Sequence, residues 1–142
     1  MRELKFRAKF RNISNGKKCW QYALLQKGKI TDPIINLSAY VQITEWEQLT
    51  GLRDKQGKEI YEGDILKITN PDYQVQKMEM IGVVEMGWFQ WQVSIKKISS
   101  WENYSVDKPS IEGYNMAFYT LAAGKEYEVA GNIHQDPELL NQ

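Results

Sequence analysis

An alternation of charged and apolar side chains near the start of the chain constrains its fold more than any other feature. Between Leu4 and Arg11, apolar residues stand at even positions and Lys or Arg at odd positions. A period of two places the apolar residues on one face of a β-strand and the charged residues on the other. The segment is therefore predicted to be a half-buried strand. Turn residues at Asn12–Gly16 and an apolar run at Cys19–Leu25 predict that it forms a hairpin with the next strand.

Further strand signals extend along the rest of the chain. Gln74–Met86 predicts a long strand with a bulge or bend at Gly82, and Trp88–Ile95 alternates cleanly between apolar and polar residues. Trp46–Leu52 fits either a strand end or a single helical turn. Asp136–Leu140 predicts a short C-terminal helix, with an Asp at the N-cap and a Pro at the first helical position. Many short strands with regular turns predict an all-β barrel or sandwich.

Composition excludes several classes of protein. The 142 residues include one Cys (Cys19) and one His (His134), so the sequence offers no intrachain disulfide and no CxxC or His-cluster metal site. Apolar residues make up 42% and charged residues 25%, which is typical of a globular chain that folds without either device. No apolar run is long enough to predict an export signal or a spanning helix. A lone Cys in such a chain predicts a reducing cytoplasm.

Charge is distributed unevenly along a chain whose net charge is zero. Residues 1–30 carry nine Lys or Arg and one Glu, a net charge of +8, and residues 31–142 carry −8. The charged face of the first strand is a candidate binding stripe of four cations: Lys5, Arg7, Lys9 and Arg11. Three interpretations are open. The stripe binds the phosphates of a nucleic acid, protects an exposed strand edge, or packs against acidic residues of this chain or a neighbour. The neutral net charge favours the last two.

Candidate catalytic groups are few. Four acidic residues lie close together in sequence and could hold a divalent cation or divide acid and base roles: Asp54, Glu59, Glu62 and Asp64. A structural role is favoured for them, because turns select Asp for its hydrogen bonds to backbone amides. His134 could act as a general base, but no Ser or Cys lies in a recognisable nucleophile motif. No catalytic residue, bound metal or cofactor is therefore expected.

Aromatic residues provide a second kind of candidate contact. The chain has five Trp and eight Tyr, and most of them are expected in the core of a two-layered β protein. Trp88 and Trp101 are predicted to lie on the surface, where an exposed indole can stack on a base or anchor an interface.

The segment Leu49–Ile65 is more specific than any strand pattern. Its Gly and Asp residues are spaced for two tight turns on either side of the apolar pair Ile60 and Tyr61. The Gly and Asp positions are Gly51, Asp54, Gly57, Gly63 and Asp64. This segment resembles the YopX family of phage and prophage proteins. Two further segments share the resemblance: Lys5–Ala8 near the start and Val129–Leu140 at the end, which contains Gly131, Asn132 and Pro137. One departure from the family pattern lies at Lys9 and Phe10, where many members carry a Trp-Asp pair.

The resemblance implies an SH3-like barrel with additional N-terminal strands, a phage or prophage origin and a tendency to self-associate, but no established activity. We expect a single β domain, with N-terminal strands in residues 1–45 and the SH3-like portion in residues 46–142.

We interpret the chain as an accessory protein that is not an enzyme and that acts by binding as a homo-oligomer. Its partner is itself or a host or phage protein, and no membrane contact is expected. The opposite charges of its two segments predict a head-to-tail contact between subunits. The alternatives are a nucleic-acid-binding protein that uses the basic hairpin and a metal-dependent hydrolase that uses the acidic turns.

Overall fold

The fold consists almost entirely of antiparallel β-strands, which confirms the all-β prediction. The structure, a computed structural model, describes residues 4–26, 29–31, 37–73, 76–88, 90–102, 115–117 and 126–141. The chain divides into two compact units, which we name unit 1 (Met1–Thr50) and unit 2 (Gly51–Gln142). Among the described residues, no helix is long and apolar enough to cross a membrane.

Unit 1 is organised around its first strand. Its elements are the 3₁₀ helix Leu37–Ala39 and the strands β1 (Leu4–Asn12), β2 (Lys18–Gln26), β3 (Lys29–Thr31), β4 (Tyr40–Gln42) and the first part of β5 (Glu47–Arg53). β1 pairs with β2 on one side and with β4 and β5 on the other, and β3 extends the sheet beyond β2. The predicted β1–β2 hairpin is confirmed, and Phe10 lies opposite Cys19 in its register.

The ambiguous segment after Trp46 is a strand, β5. Its first residues pair with β1, with Gln48 opposite Phe6 and Glu47 opposite Arg7. The division between the two units falls after Thr50, within β5.

Both faces of β1 are covered in the middle of the strand. Ala8 and Phe10 on the apolar face are buried, as predicted. Arg7 and Lys9 on the charged face are also buried, with only 6% and 8% of their surface exposed. The prediction of a half-buried strand is therefore wrong at these two positions. The cause is the position of β1 in the interior of the sheet, where side chains of both neighbouring strands cover it.

Unit 2 contains a second antiparallel sheet. The strands of this sheet are β7 (Asp64–Tyr73), β8 (Gln76–Met86), β9 (Trp91–Glu102), β10 (Asn115–Ala117) and β11 (Glu126–Asn132). The unit also contains the end of β5, which pairs with the short strand β6 (Glu59–Tyr61) and belongs to the other sheet. The strand order β10-β9-β8-β7-β11 pairs the last strand of the chain with β7. The hydrophobic core is built from aliphatic and Met side chains: Ile60, Leu66, Ile68, Met80, Val84, Val93, Ile95 and Ile98. The SH3-like detail of the fold stays a prediction.

Gly82 marks an irregularity in the longest hairpin, as the sequence predicted. The register between β8 and β9 shifts between Ile81 and Gly82. A Cβ atom built on Gly82 would overlap the side chain of Val93 and would lie 2.9 Å from the carbonyl oxygen of Ser94. A glycine is therefore required for the close approach of the two strands at this point.

The C-terminal segment forms the predicted short helix, a 3₁₀ helix at Pro137–Leu140 with Pro in its first turn. Asp136 occupies the N-cap position, as predicted, but its side chain makes no capping hydrogen bond to this helix. Its Oδ2 instead accepts a hydrogen bond of 3.1 Å from the backbone N–H of Asn132. Asp136 thus stabilises the turn before the helix.

We predict that Gly82→Ala lowers the free energy of unfolding by about 1–3 kcal/mol, the usual cost of forcing extra atoms into a close-packed site. The new methyl group meets the backbone of Ser94, which cannot move without disturbing β9. Gly87→Ala is the comparison: its methyl group meets the end of the Gln92 side chain and lies 3.0 Å from the carbonyl oxygen of Gln90, but it is in a turn and not between two paired strands, so a smaller loss is expected. Urea unfolding followed by circular dichroism compares the variants, and equal losses would contradict the close-approach explanation.

Candidate functional site

Three of the four cations proposed for the basic stripe lie over aromatic rings of β2. Nζ of Lys5 lies 5.1 Å from the centroid of the Tyr22 ring. Cζ of Arg7 and Nζ of Lys9 lie 4.3 Å and 4.7 Å from the centroid of the Trp20 ring. The negative face of an aromatic ring attracts a cation and also excludes water from it. The stripe is therefore packed against β2 over most of its length.

Arg7 has a second partner on its other side. Its Nε donates a hydrogen bond of 3.0 Å to Oε2 of Glu47 on β5, and both side chains are almost fully buried. A buried charge is tolerated only when it is paired and hydrogen-bonded. Of the three interpretations of the stripe, packing against acidic residues of the same chain is therefore correct for Arg7. We name Arg7, Lys9, Trp20 and Glu47 the Trp20 cluster.

A smaller group of cations remains exposed at the end of the β1–β2 hairpin. Arg11 lies directly opposite Lys18, and Lys17 precedes Lys18 in the turn; all three side chains are exposed. Like charges directly opposite each other on paired strands repel. Ile13 in the same turn is 62% exposed. We name these four residues the basic tip; the sequence signal for it is the Lys17-Lys18 pair, which the stripe prediction did not include.

An apolar pocket of about 250 Å³ opens in unit 1 and was not predicted. It is lined by Phe6, Ala23, Leu24, Leu25 and Trp46, which come from β1, from β2 and from the segment just before β5. The Trp46 ring packs edge-on against Phe10, with centroids 5.9 Å apart and an interplanar angle of 61°. This contact holds one wall of the pocket in a defined orientation.

Trp88 lies on the surface of unit 2, as the sequence predicted. It occupies the turn between β8 and β9, and 96% of its surface is exposed. The turn is closed by a hydrogen bond of 2.7 Å from the N–H of Gly87 to the carbonyl oxygen of Gln90. The other predicted surface indole, Trp101, lies in β9, and its side chain is outside the part of the chain that the structure describes.

Asp54 organises the first turn of the central motif. Its Oδ1 accepts hydrogen bonds of 2.9 Å from the backbone N–H groups of Gln56 and Lys58, and its Oδ2 accepts one of 3.1 Å from Val129. Burial by itself would raise the pKa of Asp54. The hydrogen bonds from Val129, Lys58 and Gln56, aided by the charge of Lys58, outweigh burial and lower this pKa below its ordinary value.

Asp64 organises the second turn of the motif. Only 1% of its surface is exposed, and its Oδ2 accepts a hydrogen bond of 2.9 Å from the N–H of Tyr61. Nδ2 of Asn132 lies 3.5 Å from Oδ1 of Asp64 and connects this turn to the end of β11. The intervening Gly63 has a φ of 82°, which favours glycine. The roles predicted for Asp and Gly in this turn are confirmed.

Two more glycines of the motif region have structural roles. Gly57 closes the first turn with a φ of 85°, and Gly51 within β5 has the same φ. Near the end of the chain, a Cβ atom on Gly131 would lie 2.5 Å from Oδ2 of Asp136. Ile60 and Tyr61 of the motif are buried.

Three of the four acidic residues proposed for catalysis have separate structural tasks; Glu62, the fourth, is half-buried. Glu59 accepts a hydrogen bond of 2.9 Å from the Tyr61 hydroxyl group and lies 3.6 Å from Arg53. Asp54 and Asp64 bind backbone amides of different turns. In the described ranges, no three His, Cys, Asp or Glu side chains come close enough to hold a metal ion. His134 is exposed, and its backbone N–H bonds to Oδ1 of Asn132.

Comparison of the whole sequence with models of protein families identifies the family. A family model described as YopX protein matches residues 5–141 of this chain. The chain belongs to the YopX family. The match covers nearly the full length of this YopX protein, including both units, and confirms the resemblance that the sequence motifs suggested.

Comparison with solved structures finds a weak similarity. The crystal structure of protein EF1440 from Enterococcus faecalis is similar over 96% of this chain and 97% of that chain, with 22% sequence identity and a TM-score of 0.40. No curated protein matches the sequence.

We predict that Glu47→Ala lowers the free energy of unfolding by about 3–5 kcal/mol, because it leaves the buried Arg7 guanidinium without its carboxylate. The matched control is Glu79→Ala, which removes an exposed ion pair with Lys67 and is expected to cost at most about 1 kcal/mol. Chemical denaturation measures both values.

A double variant separates charge from packing in the same cluster. Arg7→Met/Glu47→Leu leaves no unpaired buried charge and is expected to be more stable than Glu47→Ala. Similar stabilities for these two variants would show that the ion pair is not what Glu47 contributes.

We predict that Asp54 makes the fold sensitive to acid. Its pKa is lower in the folded chain than its ordinary value of 3.8. The unfolded chain therefore binds the proton more readily, and the stabilisation is complete above pH 3.8 and is lost as the pH falls through the folded pKa. Urea unfolding between pH 2 and pH 6 is expected to show a shallower acid decline for Asp54→Asn than for the unaltered chain. Parallel curves would refute the assignment.

Proposed function

We propose that this YopX protein is a phage- or prophage-encoded accessory protein that acts by binding and assembles with copies of itself. Membership of the family supports the phage origin, and the surfaces described above support the binding role. The single Cys favours the cytoplasm of the bacterial host as its location. A host or phage protein is a further partner under this proposal.

The observation that carries the proposal is the separation of charge between the two units. Unit 1 contains nine basic and four acidic residues, a net charge of +5, and unit 2 contains nine basic and fourteen acidic residues, a net charge of −5. Opposite net charges on two different parts of one chain favour a contact between the positive part of one copy and the negative part of the next. Such a head-to-tail contact is heterologous and builds a ring or a filament.

The basic tip is the exposed positive end that such a contact needs. Since Arg7 and Lys9 are committed to the Trp20 cluster, the exposed cations of the hairpin are concentrated at Arg11, Lys17 and Lys18. Their mutual repulsion is relieved when an acidic surface binds them.

Unit 2 offers an acidic counterpart on β11. Lys55 lies 4.0 Å from a carboxylate oxygen of Glu126 and 3.3 Å from one of Glu128, so one cation is shared between two carboxylates. The group keeps a net negative charge, and its side chains are partly exposed. Exposed pairs of this kind steer association more than they stabilise a complex.

The assignment of a binding role rather than catalysis rests on the acidic turns. Asp54 and Asp64 each use their carboxylate to hold backbone amides of the central motif. Both carboxylates are almost fully buried and hold the backbone of a turn, which favours a structural role for them. The proposal therefore assigns no catalytic residue, no metal and no cofactor.

We predict that static light scattering across a salt series detects an assembly whose mass falls towards that of the monomer as ionic strength rises. The triple variant Arg11→Gln/Lys17→Gln/Lys18→Gln is expected to weaken self-association about tenfold, since each exposed ion pair contributes less than about 1 kcal/mol. The matched control is Lys55→Gln/Lys58→Gln/Lys96→Gln, which removes three exposed charges from the acidic unit and is expected to maintain or strengthen assembly.

Two outcomes count against this version of the proposal. An assembly that high salt and the tip substitutions leave unchanged would refute the electrostatic contact. Binding of labelled DNA or RNA at low salt, with a steep decline as salt rises and a loss in the tip variant, would favour the nucleic-acid alternative.

A further inference from the structure

Each unit has one apolar feature that a partner could cover. One is the pocket of about 250 Å³ in unit 1, lined by Phe6, Ala23, Leu24, Leu25 and Trp46. The other is the indole of Trp88 in unit 2, of which 96% is exposed. An aromatic side chain such as Trp buries about 150–250 Å² of its surface when it enters a core or an interface. Removing the exposed indole of Trp88 from water would therefore release a large hydrophobic free energy.

The pocket has the chemistry of an aromatic or aliphatic binding site. All five lining residues are apolar, so a polar ligand would find few hydrogen-bond partners there. An apolar cavity of about 150 Å³ is large enough for benzene. A pocket of about 250 Å³ therefore has room for a two-ring indole. The Trp46 wall is held by its edge-on contact with Phe10, so part of the site is formed in advance.

Trp88 lies in the short turn that connects β8 to β9. The short turn that carries it is closed by the hydrogen bond between Gly87 and Gln90. Just below the turn, Met86 pairs with Trp91, and Nε2 of Gln92 donates a hydrogen bond of 2.8 Å to Oε1 of Glu85. The hydrogen-bonded turn limits the backbone entropy that is lost on binding, and Trp is enriched among the residues that dominate interface energies.

We propose that the pocket in unit 1 of one copy receives Trp88 from unit 2 of a second copy. This inference rests on the proposed self-association and names the apolar surfaces that meet. Charge identifies the occupant, because the contact brings the positive unit of one copy to the negative unit of the next. The knob and the hole lie in different units of the chain, so one copy can donate Trp88 to a second copy and receive Trp88 from that copy or from a third.

Single substitutions on the two sides of the contact test it. Trp88→Ala is expected to weaken self-association about 30-fold or more by analytical ultracentrifugation, the loss typical of a central aromatic anchor. Ala23→Leu fills the pocket, and Leu25→Gln makes its lining polar without adding volume to the core; both are expected to weaken assembly. The matched control, Leu52→Ala, truncates another exposed apolar side chain of unit 2 and is expected to assemble normally.

Mixing two defective variants gives a result that misfolding cannot imitate. Trp88→Ala keeps an intact pocket, and Ala23→Leu keeps an intact Trp88, so together they can form one complete contact and no more. A mixture is expected to give a 1:1 heterodimer, although each variant alone is mainly monomeric at the same concentration. Circular dichroism of each variant confirms that it is folded.

The other outcomes separate this inference from the proposed function. Assembly that none of the Trp88 or pocket substitutions changes would overturn the knob-in-pocket contact and leave self-association standing. Loss of assembly in each variant without recovery in the mixture would also overturn the contact. A chain that is monomeric at every accessible concentration would contradict both proposals.

Discussion

The buried ion pair between Arg7 and Glu47 is the constraint on which the arrangement of unit 1 depends. It joins β1 to β5 across an almost dry interface, where an unpaired charge would be costly. A slip of one residue would turn Glu47 to the opposite face of the sheet and leave Arg7 without its partner, so the pair fixes the register of these strands. β5 is also the strand that runs from unit 1 into unit 2 and ends at the turn organised by Asp54. The central motif therefore begins from a strand whose first residue is paired both through the sheet and through a buried charged contact.

Local features of the fold were predictable because their causes lie within a few residues. The alternation at Leu4–Arg11 and the turn that follows it predicted the β1–β2 hairpin, and Gly82 predicted a bulge. The burial of Arg7 and Lys9 was not predictable from alternation alone. A row of charged residues predicts a face exposed to solvent, unless the residues that pair with them are known. Glu47 lies 40 residues further along the chain, and Trp20 lies over the cations only when β2 has paired with β1. Asp136 was predicted as a helix cap, but an Asp in this position can bond either to the helix or to the preceding turn.

The candidate binding surfaces also differ in whether they depend on nearby or on distant residues of the sequence. Exposure of Trp88 was predictable, since it is the residue directly after a strand and a glycine and is out of phase with the apolar face of Trp88–Ile95. The pocket was not predictable, because its walls come from two strands and a connecting segment that meet only in the folded unit. Trp46 was expected in the core with most other aromatic residues, and it is in fact shared between a packing contact with Phe10 and an open cavity. Sequence patterns describe one element at a time, whereas a cavity is a property of several.

The hydrogen bond between Asp54 and Val129 has a consequence for how the chain is made. Asp54 and Val129 are 75 positions apart in the sequence. A ribosome that adds about 5–20 residues per second therefore synthesises Val129 about 4–15 s after Asp54. Over nearly the same interval, the side of β7 that pairs with β11 has no partner strand from its own chain. An unpaired strand edge is a template for association with other chains. Nascent copies on neighbouring ribosomes are therefore most prone to mispair before the last strand emerges, and the vulnerable side of unit 2 is the one that its own C-terminal segment later covers.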